Sequence, residues 1–235
     1  MLRRVFLRKK VGWLFIFFFL CFLTWGSQKL SRYVISSSSL FGKKTESRIK
    51  IIVDAGHGGM DGGKIGVNDA KESDINLKIA KLLQEDLEKK QFQVTMTREG
   101  ADGMADSNVE DLKARVTKIN QEKPELVVSI HQNSYGDASV KGAQVFYFEH
   151  SDESEKAAKL IQKSMNEMDT DNHREAKANT TYYLLKRTEV PVVIVECGFL
   201  SNPEEADKLV TQEYQEKVAQ AIVEGLYRYF GIQEK

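Results

Sequence analysis

The run Ile51-Ile52-Val53-Asp54-Ala55-Gly56-His57-Gly58-Gly59 restricts the possible folds of this chain more than any other stretch. Consecutive β-branched residues read as a strand buried on both faces, which requires a sheet covered by helices. The small and glycine residues that follow end the strand and let the backbone turn sharply. His57 is therefore held where a strand gives way to a loop. In open α/β sheets that edge is where ligands and chemistry collect.

From Arg48 onward the pattern supplies the rest of such a sheet. Strands are expected at 49–54, 92–97, 125–130, 142–149 and 190–195, the last three leading to His131, Glu149 and Glu196. Apolar residues at helical spacing mark helices at 73–90 (Ile75, Ile79, Leu82, Leu83, Leu87), about 109–119, 154–168 and 214–230. Ser73 is the expected N-cap of the first of these. Arg98 opens a polar loop that runs through Ser107. Strand–helix alternation of this kind gives an α/β fold: a single domain, with a mostly parallel central sheet and helices on both faces. There is no internal repeat.

The residues before Arg48 have another character. Residues 11–28 carry no charge and include Trp13-Leu14-Phe15-Ile16-Phe17-Phe18-Phe19-Leu20, enough for a short membrane helix, which needs about 17–25 residues. Arg3, Arg4, Arg8, Lys9 and Lys10 precede it, so the N-terminus is expected to stay cytoplasmic and the bulk of the chain to be exported. A cleaved signal peptide is the competing reading; bulky Trp25 and the lack of an Ala-x-Ala pattern speak against it. The expected organisation is a basic tail (1–10), a membrane anchor or signal segment (11–28), a polar linker (29–47) and a catalytic domain (48–233). Nine of the 34 Lys and Arg lie in residues 1–45 with none of the 34 acidic residues, which leaves 25 basic against 34 acidic residues in the remainder. An acidic globular part argues against nucleic acid as a partner. Cys21 and Cys197 fall in different regions, so no disulfide is expected, and two cysteines cannot supply a Cys-based zinc site.

Three core strands lead into ionisable groups: His57, His131 and Glu196. Burying such groups costs free energy unless they are paired or bound to metal. Two histidines converging on one edge suit zinc, whose catalytic sites usually take three protein ligands and leave a fourth position open. Glu72 is the favoured third ligand, because it stands at the start of the first helix above the His57 loop. Spacing does not separate it from Asp61, Asp69 or Asp74. His150 and His173 sit in charged surroundings and read as exposed. The glycines at 56–63 fit neither nucleotide fingerprint, and there is no Gly-x-Ser-x-Gly or His-Glu-x-x-His.

The segments Val53-Asp54-Ala55-Gly56-His57-Gly58-Gly59, Lys71-Glu72, Ser129-Ile130-His131-Gln132-Asn133 and Val195-Glu196-Cys197-Gly198-Phe199-Leu200-Ser201-Asn202 resemble the zinc-dependent N-acetylmuramoyl-L-alanine amidases, the Amidase_3 family of bacterial wall hydrolases. The match runs from about Lys50 to Phe230 with every motif in the family's order. The resemblance implies one zinc per chain, with His57, Glu72 and His131 as ligands and Glu196 as catalytic acid/base. It implies cleavage of the amide between the lactyl group of muramic acid and L-alanine in peptidoglycan. Asn133 and Asn202 are expected near the metal or the substrate. The short layout is similar to the germination-specific branch, which prepares spore-cortex peptidoglycan for muramic lactam formation, and an exported activator protein is an open expectation. Gln132 stands where many relatives have a small residue and is expected to line the site; Cys197 stands where glycine is common. No inhibitory helix is expected between Ser134 and Lys141. A zinc peptidase acting within the stem peptide and a non-catalytic wall-binding module are the alternatives.

Overall fold

The computed structural model describes residues 48–90 and 92–233. The expected tail, apolar segment and linker lie outside the described residues; among those described, no helix is long and apolar enough to cross a membrane. Six strands, β1 (Ile49–Ala55), β2 (Phe92–Met96), β3 (Leu126–Asn133), β4 (Gln144–Phe148), β5 (Lys177–Asn179) and β6 (Val192–Phe199), form one sheet in the order β2-β1-β3-β6-β4-β5. The helices are α1 (Glu72–Glu88), α2 (Asn108–Glu122), α3 (Asp152–Met168), α4 (Tyr183–Arg187), α5 (Pro203–Leu209) and α6 (Gln212–Phe230). β2, β1, β3 and β6 run parallel, as expected, while β4 is antiparallel to β6 and β5 parallel to β4. The reversal has a simple origin. Residues 134–143 contain no helix, and a chain leaving the top of β3 without a crossover enters the sheet running back.

Strand alternation divides the apolar residues between two cores. Ile51, Val53 and Ala55, Leu126, Val128 and Ile130, and Val193, Val195 and Cys197 pack with α1, α3 and α6. Ile52, Val127, Val192 and Ile194 pack on the opposite face with Ile119 of α2 and with Leu184 and Leu185 of α4. Continuing the same alternation toward the C-terminal ends puts Asp54, Ser129, His131 and Glu196 on this second face. The register sets them side by side, Asp54 against Ser129 and His131 against Glu196.

Two boundaries differ from the sequence expectation. Helix α1 begins at Glu72 and its N-cap is Lys71, with no side-chain cap. Ser73 is not needed as a cap because Lys64 O accepts from the Glu72 N–H and Gly62 O from the Ser73 N–H, at 2.9 and 3.1 Å. Strands β3 and β6 also continue beyond His131 and Glu196, their pairing shifting register between His131 and Asn133 before Asn133 meets Phe199. The two ionisable groups thus lie inside strands rather than at their ends. Short β5, α4 and α5 were not expected; α5 does carry a legible signal, since Asn202 accepts from the Glu205 N–H and Pro203 follows it.

Asp54, 1% exposed, anchors the second face. Its carboxylate is paired with Arg115 of α2 and accepts from Thr97 Oγ1 at 2.7 Å and Ser129 Oγ at 2.6 Å, joining β1, the residue after β2, β3 and α2. Burial would raise its pKa, but the Arg115 charge and the two hydroxyls outweigh burial and hold it at about 2. Its contribution to stability is therefore complete above its ordinary value of 3.8 and lost as pH falls through about 2. Arg115→Met should destabilise the domain by about 3–5 kcal/mol in urea unfolding by leaving a buried carboxylate unpaired, and should raise the pH of acid unfolding.

Candidate metal centre

His57, Glu72 and His131 come together over the C-terminal ends of β1 and β3, and one nitrogen or oxygen from each lies within 4.8 Å of the others. Three local features place them. His57 adopts a left-handed backbone conformation, φ 61°, which turns the chain back over the sheet. Gly56 has no room for a side chain, because a Cβ would collide with the His131 ring. Gly63, at φ 65°, would bring a Cβ within 2.6 Å of Glu72 Oε2. Glu72, in the first turn of α1, is 2% exposed. Its Oε1 lies 3.2 Å from His57 Nε2 and 3.0 Å from His131 Nδ1 and accepts the Gln132 N–H at 3.1 Å, while Oε2 accepts the Lys64 N–H at 2.8 Å.

The geometry separates the acids that spacing left equivalent. Asp61 sits on the far side of the imidazole, its Oδ2 2.8 Å from His57 Nδ1. It thereby orients the ring and leaves Nε2 facing Glu72, the arrangement in which a carboxylate supports a metal-binding histidine. Asp69 and Asp74 are exposed and stand outside the cluster. Burial would push the His57 pKa down, but Glu72 and Asp61 outweigh it and raise it to about 9. Burial would likewise raise Glu72, yet the two histidines hold it well below the usual carboxylate range. Two imidazoles around a buried, ionised carboxylate form a donor set suited to a divalent cation of the zinc type.

Glu196 faces the same cleft, 7% exposed, with Oε2 buried and without a hydrogen-bond partner among the described residues. Burial lifts its pKa to about 7, with the nearby Glu72 charge adding to the effect and the two histidines opposing it. The cleft has a volume of ≈ 570 Å³ and is walled by residues that include Lys64, Leu112, Asn133, Tyr182 and Tyr183. A buried, incompletely paired carboxyl group lining the same cleft as a cluster of nitrogen and oxygen donors is an arrangement suited to proton transfer.

Other expected residues fall in different places. Asn133 lines the cleft, its Oδ1 accepting the Ser134 N–H at 2.8 Å. Asn202 does not: it caps α5 and donates to Ala138 O at 2.8 Å, so it serves the fold. The Gln132 side chain turns to the α1 face, where Nε2 donates to Asn76 Oδ1 at 3.1 Å, because strand alternation points it away from its neighbour His131. It is nevertheless among the residues that line the cleft. Cys197 is a free, buried thiol on that same face, its pKa raised by burial. His150 and His173 are exposed, as read. Sequence reasoning missed Asp61 as the partner of His57 and Asn76, one helical turn after Glu72, whose Nδ2 donates to Gly56 O at 3.1 Å. It also missed Arg98 and Arg115. Only their position after a strand and on a polar helix could have flagged them.

The family model for N-acetylmuramoyl-L-alanine amidases matches residues 51–228. The germination-specific N-acetylmuramoyl-L-alanine amidase of Bacillus subtilis is 39% identical over 188 residues, covering 77% of this chain and 79% of that protein. The solved structure of the CwlD amidase from Clostridioides difficile in complex with the GerS lipoprotein superposes with a TM-score of 0.75 at 36% identity, over 78% of this chain and 99% of that one. An N-acetylmuramoyl-L-alanine amidase from Clostridium difficile 630 superposes with a TM-score of 0.73 at 27% identity, over 80% and 100% of the two chains.

His57 must lose its proton before its nitrogen can bind a cation. Calorimetric titration with a divalent metal in buffers of different ionisation enthalpy should report at least one proton released per ion near neutral pH, one from His57 and a further fraction from Glu196, and affinity should rise with pH up to about 9. His57→Ala should abolish binding, and Asp61→Asn should weaken it about 10–100-fold.

Proposed function

The chain belongs to the N-acetylmuramoyl-L-alanine amidase family and is a cell-wall amide hydrolase; from that premise we propose that it uses one zinc ion, held by His57, Glu72 and His131, to cleave the bond between the lactyl group of muramic acid and L-alanine, with Glu196 as acid/base. The observation that carries this reading is Glu196 Oε2, buried, unpartnered and in register with His131. The zinc, when bound, supplies Lewis acidity toward the scissile carbonyl and the attacking water. The Glu196 carboxylate takes the proton of that water and returns it to the departing alanine nitrogen. Asp61 keeps the His57 ring oriented through Nδ1, and the Lys64 and Gln132 amides hold the Glu72 carboxylate in place. The walls of the cleft position the amide and limit access of bulk water.

The name of the B. subtilis relative supports a role in germination, and the family resemblance extends that proposal to spore-cortex maturation. The complex of C. difficile CwlD with a lipoprotein supports an exported protein of that kind as activator or partner. We assign residues 11–28 as a membrane anchor, 29–47 as a linker and 48–233 as the catalytic domain, working on peptidoglycan outside the cytoplasm. Asn133, on the cleft wall, is assigned to substrate contact.

Mass spectrometry of digested muropeptides tests the bond assignment: release of intact stem peptides beginning with L-alanine is expected, and fragments cut within the stem would instead identify a peptidase. Glu196→Gln should retain one zinc per chain while losing at least about 10²-fold in kcat, in line with the loss of a general base. Because the basic form of Glu196 is the active one, kcat/KM should rise with pH through an acid limb above 4.5 and no higher than about 7, since the bound cation lowers the carboxyl pKa. In Glu196→Gln that limb should vanish from the residual rate.

A further inference from the structure

Arg98 is a buried cation with no carboxylate bound to it. It is 6% exposed, and all of its hydrogen bonds among the described residues go to backbone carbonyls. Nε donates to Ala55 O at 2.9 Å, Nη1 to Gly100 O at 2.8 Å, and Nη2 to both Gly56 O at 3.0 Å and Ser73 O at 2.8 Å. Arg115, by contrast, is paired with both Asp54 and Asp111. A buried guanidinium neutralised only by peptide dipoles is expensive to keep, so its location calls for a reason.

The carbonyls it holds supply that reason. Ala55 and Gly56 directly precede His57, and Ser73 directly follows Glu72. One planar group thus bridges the two segments that carry two of the three ligands assigned above. It also packs beside Gly58, where a Cβ would come within 2.8 Å of Arg98 Nε. His57, the residue between these contacts, has the left-handed φ of 61°, a conformation unfavourable for a side-chain-bearing residue that must be imposed by its surroundings. A lysine offers a single ammonium and cannot reproduce the in-plane fork that reaches four carbonyls.

We infer that Arg98 is a positioning residue of the metal centre, bridging the backbone segments of His57 and Glu72 so that their side chains meet one ion. This inference rests on the assignment of His57 and Glu72 as zinc ligands. The test uses the full chain in detergent and measures zinc affinity by competition with a chromogenic chelator for wild type, Arg98→Ala and Arg98→Lys. The expected result is a 10–100-fold weaker affinity in Arg98→Ala, restored by millimolar guanidinium but not by sodium chloride at equal ionic strength, and little recovery in Arg98→Lys. The cobalt-substituted variants should also show shifted visible bands, which a purely structural role would leave unchanged once the protein is folded. Wild-type zinc affinity in either folded variant would overturn the inference. So would a loss of affinity without guanidinium rescue in which metal-free thermal stability falls in step. If Arg98→Ala does not fold, Arg98→Lys decides: folded with weakened zinc binding supports the inference, and failure to fold overturns it by making the role structural. A wild-type chain that binds no zinc would instead refute the ligand assignment itself.

Discussion

The buried pair of Asp54 and Arg115 is the interaction on which the rest of the site depends. A carboxylate at the end of β1, under the metal centre, is tolerable only because a guanidinium from α2 and two hydroxyls from neighbouring strands satisfy it. The same guanidinium reaches past Asp54 to Ala55 O and His57 O, at 2.8 and 2.6 Å. The charge that stabilises the sheet therefore also seats the loop holding His57. Fold stability and site geometry share one network, and neither can be altered there without the other.

Above this base, burial and neighbouring charge sort the acids into different states. Glu72 lies between two imidazoles and stays ionised despite being buried. Glu196 is buried to a similar degree but lacks a hydrogen-bonding cation, so its proton affinity rises to near neutrality. Asp61 stands at the outer nitrogen of His57 and remains ionised. Two carboxylates within one cleft are thus held apart in proton affinity, one a fixed anion and the other titrating near neutrality.

Much of this was legible because it rests on local pattern. The buried runs at 49–55, 126–130 and 192–195, and the helical stripe at Ile75, Ile79, Leu83 and Leu87, predict the elements that form. The residues that were misplaced share a different cause. Gln132 does line the cleft, but a strand sends successive side chains to opposite faces, so its amide is tied to Asn76 of α1 and does not lie beside the His131 ring. Asn202 lay beside a motif and proved to be a helix cap. Arg98 and Arg115 were missed because the contacts that tie them to the site lie 25 to 61 residues away in the chain, although each also has a near partner, Gly100 O for Arg98 and Asp111 for Arg115.

The sequence by itself determined the strand–helix alternation, the face on which Asp54, His131 and Glu196 stand, and the family to which the chain belongs, because periodicity and motif order are properties of the chain. Spacing alone left Glu72, Asp61, Asp69 and Asp74 open, the family resemblance pointed to Glu72, and only the tertiary structure decided that Glu72 stands between the two histidines while Asp61 serves the outer nitrogen of His57. The reason is that all four acids follow His57 within the same short stretch, 57–74, and their order along it does not say which one reaches the histidines. The distances that separate them are set by how α1 docks on the sheet and by the backbone turn at His57, and both depend on contacts between parts of the chain that are far apart in sequence.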